Sequence, residues 1–229
     1  MPTAAQVLKQ LKSKSGDKKC REGMARYGIN VDKAFCVSVY EIKRMAKELG
    51  TDRKLAAGLW KTKNREARIL ACHIEDPAKV TEAQMERWVK GFDSWDICDV
   101  CCGYLFDKTP FAYKKAREWA RRDEEFVRRA GFAMMAALAV HDKAASDKKL
   151  EQFFPIIKRY STDERNYVKK AVNWALRQIG KRNLALNKKA IRAAKDIKKI
   201  DSRSARWIAA DALRELTGEK VQKRLRKKL

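Results

Sequence analysis

Proline and glycine are scarce in this 229-residue chain, which has four prolines and ten glycines. Both residues interrupt regular backbone, so their scarcity favours long helices and excludes collagen-like and Pro/Gly-rich low-complexity chains. The chain also lacks any apolar run approaching the roughly 20 residues of a membrane helix. We therefore expect a globular, helical protein that does not span a membrane.

Acidic residues are few relative to basic ones. The chain has 54 Lys and Arg against 29 Asp and Glu, which gives a formal net charge of +25. A self-repelling excess of this size indicates a polyanionic partner, with nucleic acid as the first candidate and an anionic membrane surface as the second. The segment from residue 1 to 17 is a lysine-bearing amphipathic stretch rather than a signal peptide, so we expect an intracellular protein.

Histidine is almost absent, and this bears on the six cysteines. Three of them cluster at Cys98, Cys101 and Cys102, but the two histidines, His73 and His141, are far away in sequence. A zinc site would need more ligands than this cluster supplies. We expect reduced, partly buried thiols on a helix, with no metal and no cofactor.

Helix-start signals recur along the chain, where a short polar side chain can accept a hydrogen bond from the first turn. They lie at Thr81 with Gln84, at Asp93–Ser94, at Thr109 with Pro110, at Ser161 with Glu164, and at Asp201–Ser202. The predicted helices span residues 3–14, 17–27, 38–48, 52–61, 65–75, 81–91, 95–106, 110–122, 124–141, 147–158, 163–179, 184–198 and 203–217.

Short loops between so many helices favour antiparallel pairs that stack into a solenoid. Sequence similarity between the pairs is weak, so a compact helical bundle is the alternative. The helix over 124–141 is apolar nearly all round, which predicts a central position. We expect one domain over 1–218, a basic tail over 219–229, and a monomer.

Basic residues concentrate towards the C-terminus, in the stretch 181–199 and in the tail. A charge run is usually a solvated face, but the whole-chain imbalance favours phosphate contact here. The candidates in the stretch include Lys181, Arg182, Lys188, Lys189 and Arg192. The tail adds Lys220, Lys223, Arg224, Arg226, Lys227 and Lys228.

Enzyme motifs such as a dinucleotide fingerprint, a Walker loop, a zinc-protease helix or a nucleophile elbow are missing. The best candidate for chemistry is Trp95 with Asp99, which share one helix face because they are four residues apart. An acid at the edge of an apolar run is costly unless it is used or paired. Asp99 is therefore either functional or paired with an arginine that pins two helices.

Two more positions are unusual. Arg128 and Arg129 open the most apolar helix, and Trp174 stands among small residues with Arg177 one turn later. An isolated tryptophan on a helix is more often core than site. The remaining tryptophans are predicted to pack in the core or between helices: Trp60, Trp88, Trp119 and Trp207.

Residues 95–99 resemble the Trp-Asp-x-x-Asp motif of the AlkD family of DNA alkylation repair glycosylases. Residues 171–181 resemble the family's second tryptophan segment, and the likeness extends over roughly residues 20–218. The resemblance implies an all-α fold, a curved solenoid of HEAT-like antiparallel helix pairs with DNA in its concave face.

The resemblance also implies residue roles. Asp99 matches the catalytic aspartate, and Trp95 and Trp174 match the aromatic pair that cradles the backbone of the damaged nucleotide. Arg129 matches an arginine that contacts DNA near the lesion, with Arg128 as the other choice. Relatives often carry Gly-Val/Ile-x-x-Pro where this chain has residues 36–40, so no lesion-side contact is assigned there.

The implied function is a metal-free glycosylase that excises N3- or N7-alkylated purines from duplex DNA, with Asp99 stabilising an oxocarbenium-like transition state. A non-catalytic DNA- or RNA-binding scaffold, in which Asp99 is structural, is the first alternative. A protein adaptor that meets an acidic partner is the second. The residues expected to contact DNA are Arg128, Arg129, Arg177, Lys181, Arg182, Lys188, Lys189 and Arg192.

Overall fold

The computed structural model describes residues 2–227, so Met1, Lys228 of the basic tail and Leu229 lie outside the described residues. Within the described range the chain is helical and contains no strand. It divides into two compact units, Met1–Pro110 and Phe111–Leu229. None of the described helices is both long enough and apolar enough to cross a membrane. The predicted extent of one domain over 1–218 stays a prediction.

The first unit is built around α5, which is buried over nearly its whole length and packs against α3, α4 and α7. Short 3-10 turns at Pro77–Lys79 and Phe106–Lys108 complete it. Its helices are α1 (Ala4–Ser13), α2 (Lys18–Arg26), α3 (Val39–Leu49), α4 (Arg53–Lys61), α5 (Arg65–Ile74), α6 (Glu82–Val89) and α7 (Trp95–Tyr104).

The second unit is built around the apolar helix α9, which packs against α8 and α12 and is central as predicted. At Gly131 of α9 a Cβ would lie 2.9 Å from the carbonyl oxygen of Ala116, so only glycine permits this approach to α8. The helices are α8 (Ala112–Trp119), α9 (Glu125–His141), α10 (Asp147–Glu151), α11 (Phe154–Arg159), α12 (Asn166–Gly180), α13 (Leu184–Lys198), α14 (Arg203–Thr217) and α15 (Glu219–Arg226).

The predicted helices are all found, with two differences. The segment 147–158 is split into α10 and α11, because Pro155 in the first turn of α11 has no N–H to continue α10. The basic tail forms a further helix, α15, which buries Leu225. The side-chain amide of Gln222 fixes α15 by donating to the Leu216 carbonyl at 2.6 Å.

Two of the predicted caps are confirmed. The Thr81 hydroxyl accepts from the Gln84 backbone N–H at 3.2 Å, and the Ser202 hydroxyl accepts from Ala205 at 3.3 Å. The prediction that the Gln84 side chain completes this capping box by bonding to the Thr81 backbone is wrong. The Gln84 side chain instead donates to the buried carboxylate of Glu75 at 2.7 Å, because that acceptor lies within reach in the folded unit.

Two other predicted caps are wrong. The Thr109 hydroxyl donates to the Phe106 carbonyl at 2.8 Å and closes the preceding 3-10 turn, while α8 begins beyond the proline. The Ser161 hydroxyl donates to the Lys158 carbonyl at 2.8 Å, and the Glu164 carboxylate is used by the first turn of α14. Both hydroxyls serve the turn before them rather than the helix after them.

The four remaining tryptophans lie in the core or contact another helix, as predicted. Trp88 and Trp119 are buried, and the Trp60 ring stacks on Trp88 with 4.0 Å between centroids. Trp207 of α14 is 41% exposed and so is not a core residue, but its ring keeps a contact between helices, with the Lys169 ammonium of α12 5.3 Å from the ring centroid.

The cysteine cluster lies inside the first unit. Cys98, Cys101 and Cys102 of α7 are free thiols with no exposed surface. Burial raises the pKa of Cys101 and of Cys102 well above the usual range, which keeps both protonated. They pack as small apolar groups. Among residues 2–227 no group of three or more His, Cys, Asp or Glu is arranged to hold a metal ion.

The half-buried imidazole of His73 in α5 has one ring nitrogen that is buried without a hydrogen-bond partner among the described residues. This nitrogen is Nε2, and the imidazole ring meets the Tyr104 ring edge-on at 4.5 Å. Burial lowers the pKa of His73 to about 4, with a further contribution from the charges of Lys43 and Lys108. His73 is therefore neutral in the folded protein at neutral pH.

We predict that His73 makes the protein less stable in acid. The unfolded imidazole binds a proton near pH 6.5 while the folded one stays neutral down to about pH 4. The unfolded state thus binds more protons in this window, and the free energy of unfolding falls as pH falls through it.

The measurement is urea unfolding of the wild type and His73→Phe at about pH 7 and about pH 4.5. Phenylalanine keeps the ring contact with Tyr104 and removes the titrating nitrogen, so the variant should lose less stability on acidification. The same loss in both proteins would contradict the prediction.

Candidate functional site

Trp95 and Asp99 lie one turn apart on α7, and both side chains are half-buried. The indole Nε1 of Trp95 donates to the Tyr27 carbonyl at 2.9 Å, which ties the start of α7 to the end of α2. This bond fixes the plane of the indole. The pair therefore presents an aromatic ring and a carboxylate on one face of the helix, as their spacing predicts.

A buried ion pair between Arg65 and Asp96 joins α5 to α7. The Arg65 Nε donates to the Asp96 carboxylate at 2.6 Å, and a second Arg65 nitrogen contacts Glu66 at 3.0 Å. The Ser94 hydroxyl donates to the other Asp96 oxygen at 2.6 Å. Asp96 thus joins α5 to α7, and the choice between a functional and an arginine-paired Asp99 stays a prediction.

The same network anchors the loop between α2 and α3. The Glu66 carboxylate is fully buried and accepts the backbone N–H groups of Phe35 at 2.8 Å and Cys36 at 3.0 Å. Cys36 has a φ of 61°, a left-handed conformation that a side chain rarely adopts without support. The Asn30 N–H also donates to Ser94 at 3.3 Å, so this loop is fixed against the start of α7.

Tyr27 is a neighbour of Trp95 that the sequence did not reveal. Its carbonyl accepts the indole hydrogen bond, and its own side chain is 74% exposed. A tyrosine at the end of a predicted helix carries no signal for this position. Only the fold of the 27–38 loop brings it beside α7.

The two arginines at the start of α9 are both engaged within the second unit. Arg128 forms ion pairs of 2.8 Å with Asp163 and with Asp123. Arg129 is 6% exposed and donates to the Tyr167 carbonyl of α12 at 2.7 Å. These contacts fix both guanidinium groups, and a DNA contact for either one stays a prediction.

Trp174 is half-buried on α12, and the basic residues that follow it tie α12 to α14. The Lys181 ammonium contacts Glu215 at 2.6 Å, and Arg177 pairs with the same carboxylate and lies 3.6 Å from Asp211. Burial alone would raise the pKa of Glu215, but the Lys181 hydrogen bond and the Arg177 charge lower it. Arg177 and Lys181 are therefore both paired with a carboxylate of α14.

Arg182 closes the C-terminal end of α9. Its guanidinium donates to the carbonyls of Ala139 at 3.2 Å, Lys143 at 2.7 Å and Ala145 at 3.4 Å. These are the oxygens that a helix end and the following turn leave without intrahelical partners. The arrangement assigns Arg182 a helix-ending role.

The bases of α13 differ from those before them. Lys188, Lys189 and Arg192 are all exposed, and the Lys189 ammonium pairs with Glu151 at 2.6 Å. Lys188 and Arg192 form no ion pair with any residue in the described range. Their charges are the least neutralised among the predicted DNA contacts.

Comparison with known proteins identifies the family. The profile of the family described as DNA alkylation repair enzyme matches residues 7–216. The chain belongs to this family. A search of curated proteins found no match.

The solved structure of another protein has the same fold as this chain. The two match with a TM-score of 0.77 at 21% identity, over 95% of this chain and 97% of the other. The other protein is described as one of a new family related to the HEAT-like repeat DNA glycosylases, with affinity for branched DNA structures. This similarity confirms the predicted all-helical, HEAT-like fold.

We predict that Asp96→Asn destabilises the protein while Asp99→Asn does not. Removing the Asp96 charge weakens the hydrogen bonds that its carboxylate accepts from Arg65 and Ser94, which should cost about 1.5–3 kcal/mol, the usual range for hydrogen bonds to a charged group. Asp99 is half-buried, so water compensates part of the change when its charge is removed.

Denaturant unfolding of both variants measures the difference. A matched loss of stability in the two variants would mean that Asp99 also holds the helices together.

Proposed function

We propose that the protein is a DNA glycosylase that excises N3- and N7-alkylated purines from duplex DNA by hydrolysing the N-glycosidic bond. The observation that carries the proposal is the Trp95–Asp99 pair on one half-buried face of α7 in a member of the DNA alkylation repair enzyme family. The family match and the position of Asp99 one turn after Trp95 support a chemical role for Asp99.

The chemistry needs little more than a carboxylate. An alkylated purine carries a positive charge and leaves as a neutral base, so its glycosidic bond is already weak. The transition state develops positive charge on the deoxyribose, which the Asp99 carboxylate stabilises while it positions the attacking water. The Trp95 ring adds cation–π attraction of about 0.5–2 kcal/mol.

Preorganisation distinguishes this pair from a surface acid. The Trp95 ring is held by the Tyr27 carbonyl, and α7 is held by the buried Arg65–Asp96 ion pair. Groups fixed before the substrate binds need no reorganisation when charge develops. The exposed ring of Tyr27 offers a further aromatic contact for DNA next to Trp95.

Binding to duplex DNA is the second part of the proposal. Lys188 and Arg192 of α13 are exposed and form no ion pair within residues 2–227, so they are the strongest candidates for phosphate contact among the predicted residues. Arg129 and Trp174 are proposed to contact the DNA backbone, as the resemblance implies. The predicted contacts that already hold carboxylates or carbonyls would serve DNA only by sharing their charge: Arg128, Arg129, Arg177, Lys181, Arg182 and Lys189.

A non-catalytic DNA-binding protein is the second candidate. The solved structure with the same fold is described as related to the glycosylases and as having affinity for branched DNA. If this chain shares that property alone, it will bind branched DNA more tightly than duplex DNA and release no base. Incubation with DNA containing N7-methylguanine, followed by detection of free base, distinguishes the two candidates.

We predict that Asp99→Asn lowers the rate of base release by about 10- to 1000-fold, on the order of 1.4–4 kcal/mol of transition-state stabilisation. Asparagine keeps the size of the side chain but removes its charge. Duplex affinity should be unchanged or slightly tighter, because a negative charge has been removed. Single-turnover release at saturating enzyme measures the chemical step.

Trp95→Ala is expected to give an intermediate loss, because the ring supplies positioning rather than the main charge. A stable Asp99→Asn protein that releases alkylpurine at the wild-type rate would place the chemistry elsewhere. A wild type that releases no base would favour the binding protein.

We also predict that binding to undamaged duplex depends steeply on salt. Neutralising about five phosphates gives a slope of log affinity against log salt near −4 to −5. Charge reversal at Lys188 and Arg192 should weaken binding to all sequences alike, and reversal at Lys189 should add the loss of its Glu151 ion pair. A slope near zero would exclude nucleic acid as the partner.

A further inference from the structure

A second cluster of polar side chains lies in the first unit, apart from Trp95 and Asp99. The Lys43 ammonium of α3 donates to the Tyr104 hydroxyl at 2.9 Å and lies 4.9 Å from the centre of that ring. The Lys108 ammonium donates to the Tyr104 carbonyl at 2.8 Å. His73 of α5 packs beneath the same ring. Three helices and the turn after α7 thus meet at Tyr104.

The lysines of this cluster are not neutralised. Lys43 and Lys108 are exposed, and neither forms an ion pair with a residue in the range 2–227. The neighbouring Arg44 of α3 behaves differently, because it binds Glu41 at 2.6 Å and Glu48 at 2.5 Å. The acidic residues of α3 therefore neutralise Arg44, whereas Lys43 contacts the uncharged phenol of Tyr104.

The positions of the two ammonium groups indicate an extended anion. One contacts the phenol oxygen of Tyr104 and the other its main-chain oxygen, so they lie at opposite ends of a tyrosine that is 40% exposed. A single small anion would not span that side chain. A nucleic-acid strand does, since it carries a charge for every nucleotide at a rise of about 3.4 Å per nucleotide.

The cluster is distinct from the candidate active site. Tyr104 lies five residues after Asp99, about 7.5 Å further along the α7 axis, and on a different face of the helix. We therefore expect a phosphate held here to belong to a different nucleotide from the reacting one. Such a phosphate would position the duplex rather than take part in the chemistry.

We propose that Lys43, Tyr104 and Lys108 form a second phosphodiester-binding site, which grips the backbone of bound DNA away from the reacting nucleotide. The identity of the polyanion as DNA rests on the proposed function.

The first test is the salt dependence of binding to a short undamaged duplex by the full-length protein. Lys43→Gln and Lys108→Gln should each make the log–log slope less steep by about 0.9, and the double variant by about 1.8. At about 0.1 M salt each change should weaken affinity on the order of 8-fold.

The matched control is the double variant Lys54→Gln and Lys90→Gln. Both control lysines are exposed in the first unit, lie on or beside α4 and α6, and form no ion pair within the described range. The control removes the same charge and should leave the slope within experimental error of the wild type. A loss as large as that of the Lys43 and Lys108 pair would mean a general charge effect and would overturn the site.

The second test follows His73 by NMR. The chain has only two histidines, so the imidazole spectrum holds one signal from the cluster and one from His141 in the second unit. Contact of DNA with Tyr104 changes the ring current at His73, so its signal should move on adding duplex. The response should be lost in the Lys43→Gln/Lys108→Gln protein.

The outcomes separate this site from the glycosylase proposal. Base release with an unchanged salt slope in the double variant would overturn the site and leave the enzyme standing. A salt slope less steep by about 1.8 and an unmoved His73 signal in the double variant, without base release by the wild type, would support the site and overturn the enzyme. A wild type that neither binds DNA nor shows a moving His73 signal would overturn both.

Discussion

The Arg65 guanidinium is almost without access to water and lies between the carboxylates of Asp96 and Glu66. One cation does not balance two buried carboxylates, so the remaining oxygens need other donors. Ser94 and the N–H groups of the 27–38 loop provide them. Helix pinning and loop anchoring are therefore one interaction, and the orientation of Trp95 depends on it through the loop that carries Tyr27.

The distribution of acids explains where the positive charge remains. In the second unit Asp163 is shared by Arg128 and Arg165, and Glu215 is shared by Arg177 and Lys181. The chain has 29 acidic residues against 54 basic ones, so the acidic residues cannot pair one to one with every base. Asp163 and Glu215 are used where two helices are joined. The lysines left without partners lie on exposed faces. The surplus is thus concentrated where folding does not require neutralisation, and it is available to a polyanion.

Local sequence signals predicted the helices well, because apolar periodicity and capping act over a few residues. They failed where a group had a choice of partner. Thr109 and Ser161 could serve the turn before or the helix after, and their spacing does not decide between them. The ion pair of Asp96 with Arg65 was not predicted, because the two residues lie 31 positions apart in sequence. The proximity of Tyr27 to Trp95 has the same tertiary origin.

An enzyme and a DNA-binding scaffold differ in what the negative charge of Asp99 does to rate and to affinity. A carboxylate facing DNA repels phosphates, so a protein that only bound DNA would gain affinity by losing Asp99. In a glycosylase the same repulsion is offset in the transition state, because the deoxyribose becomes cationic while the phosphates are unchanged. Asp99 would then weaken ground-state binding and strengthen transition-state binding. This opposition between affinity and rate at a single residue is the physical signature of catalysis, and a purely structural aspartate would not produce it.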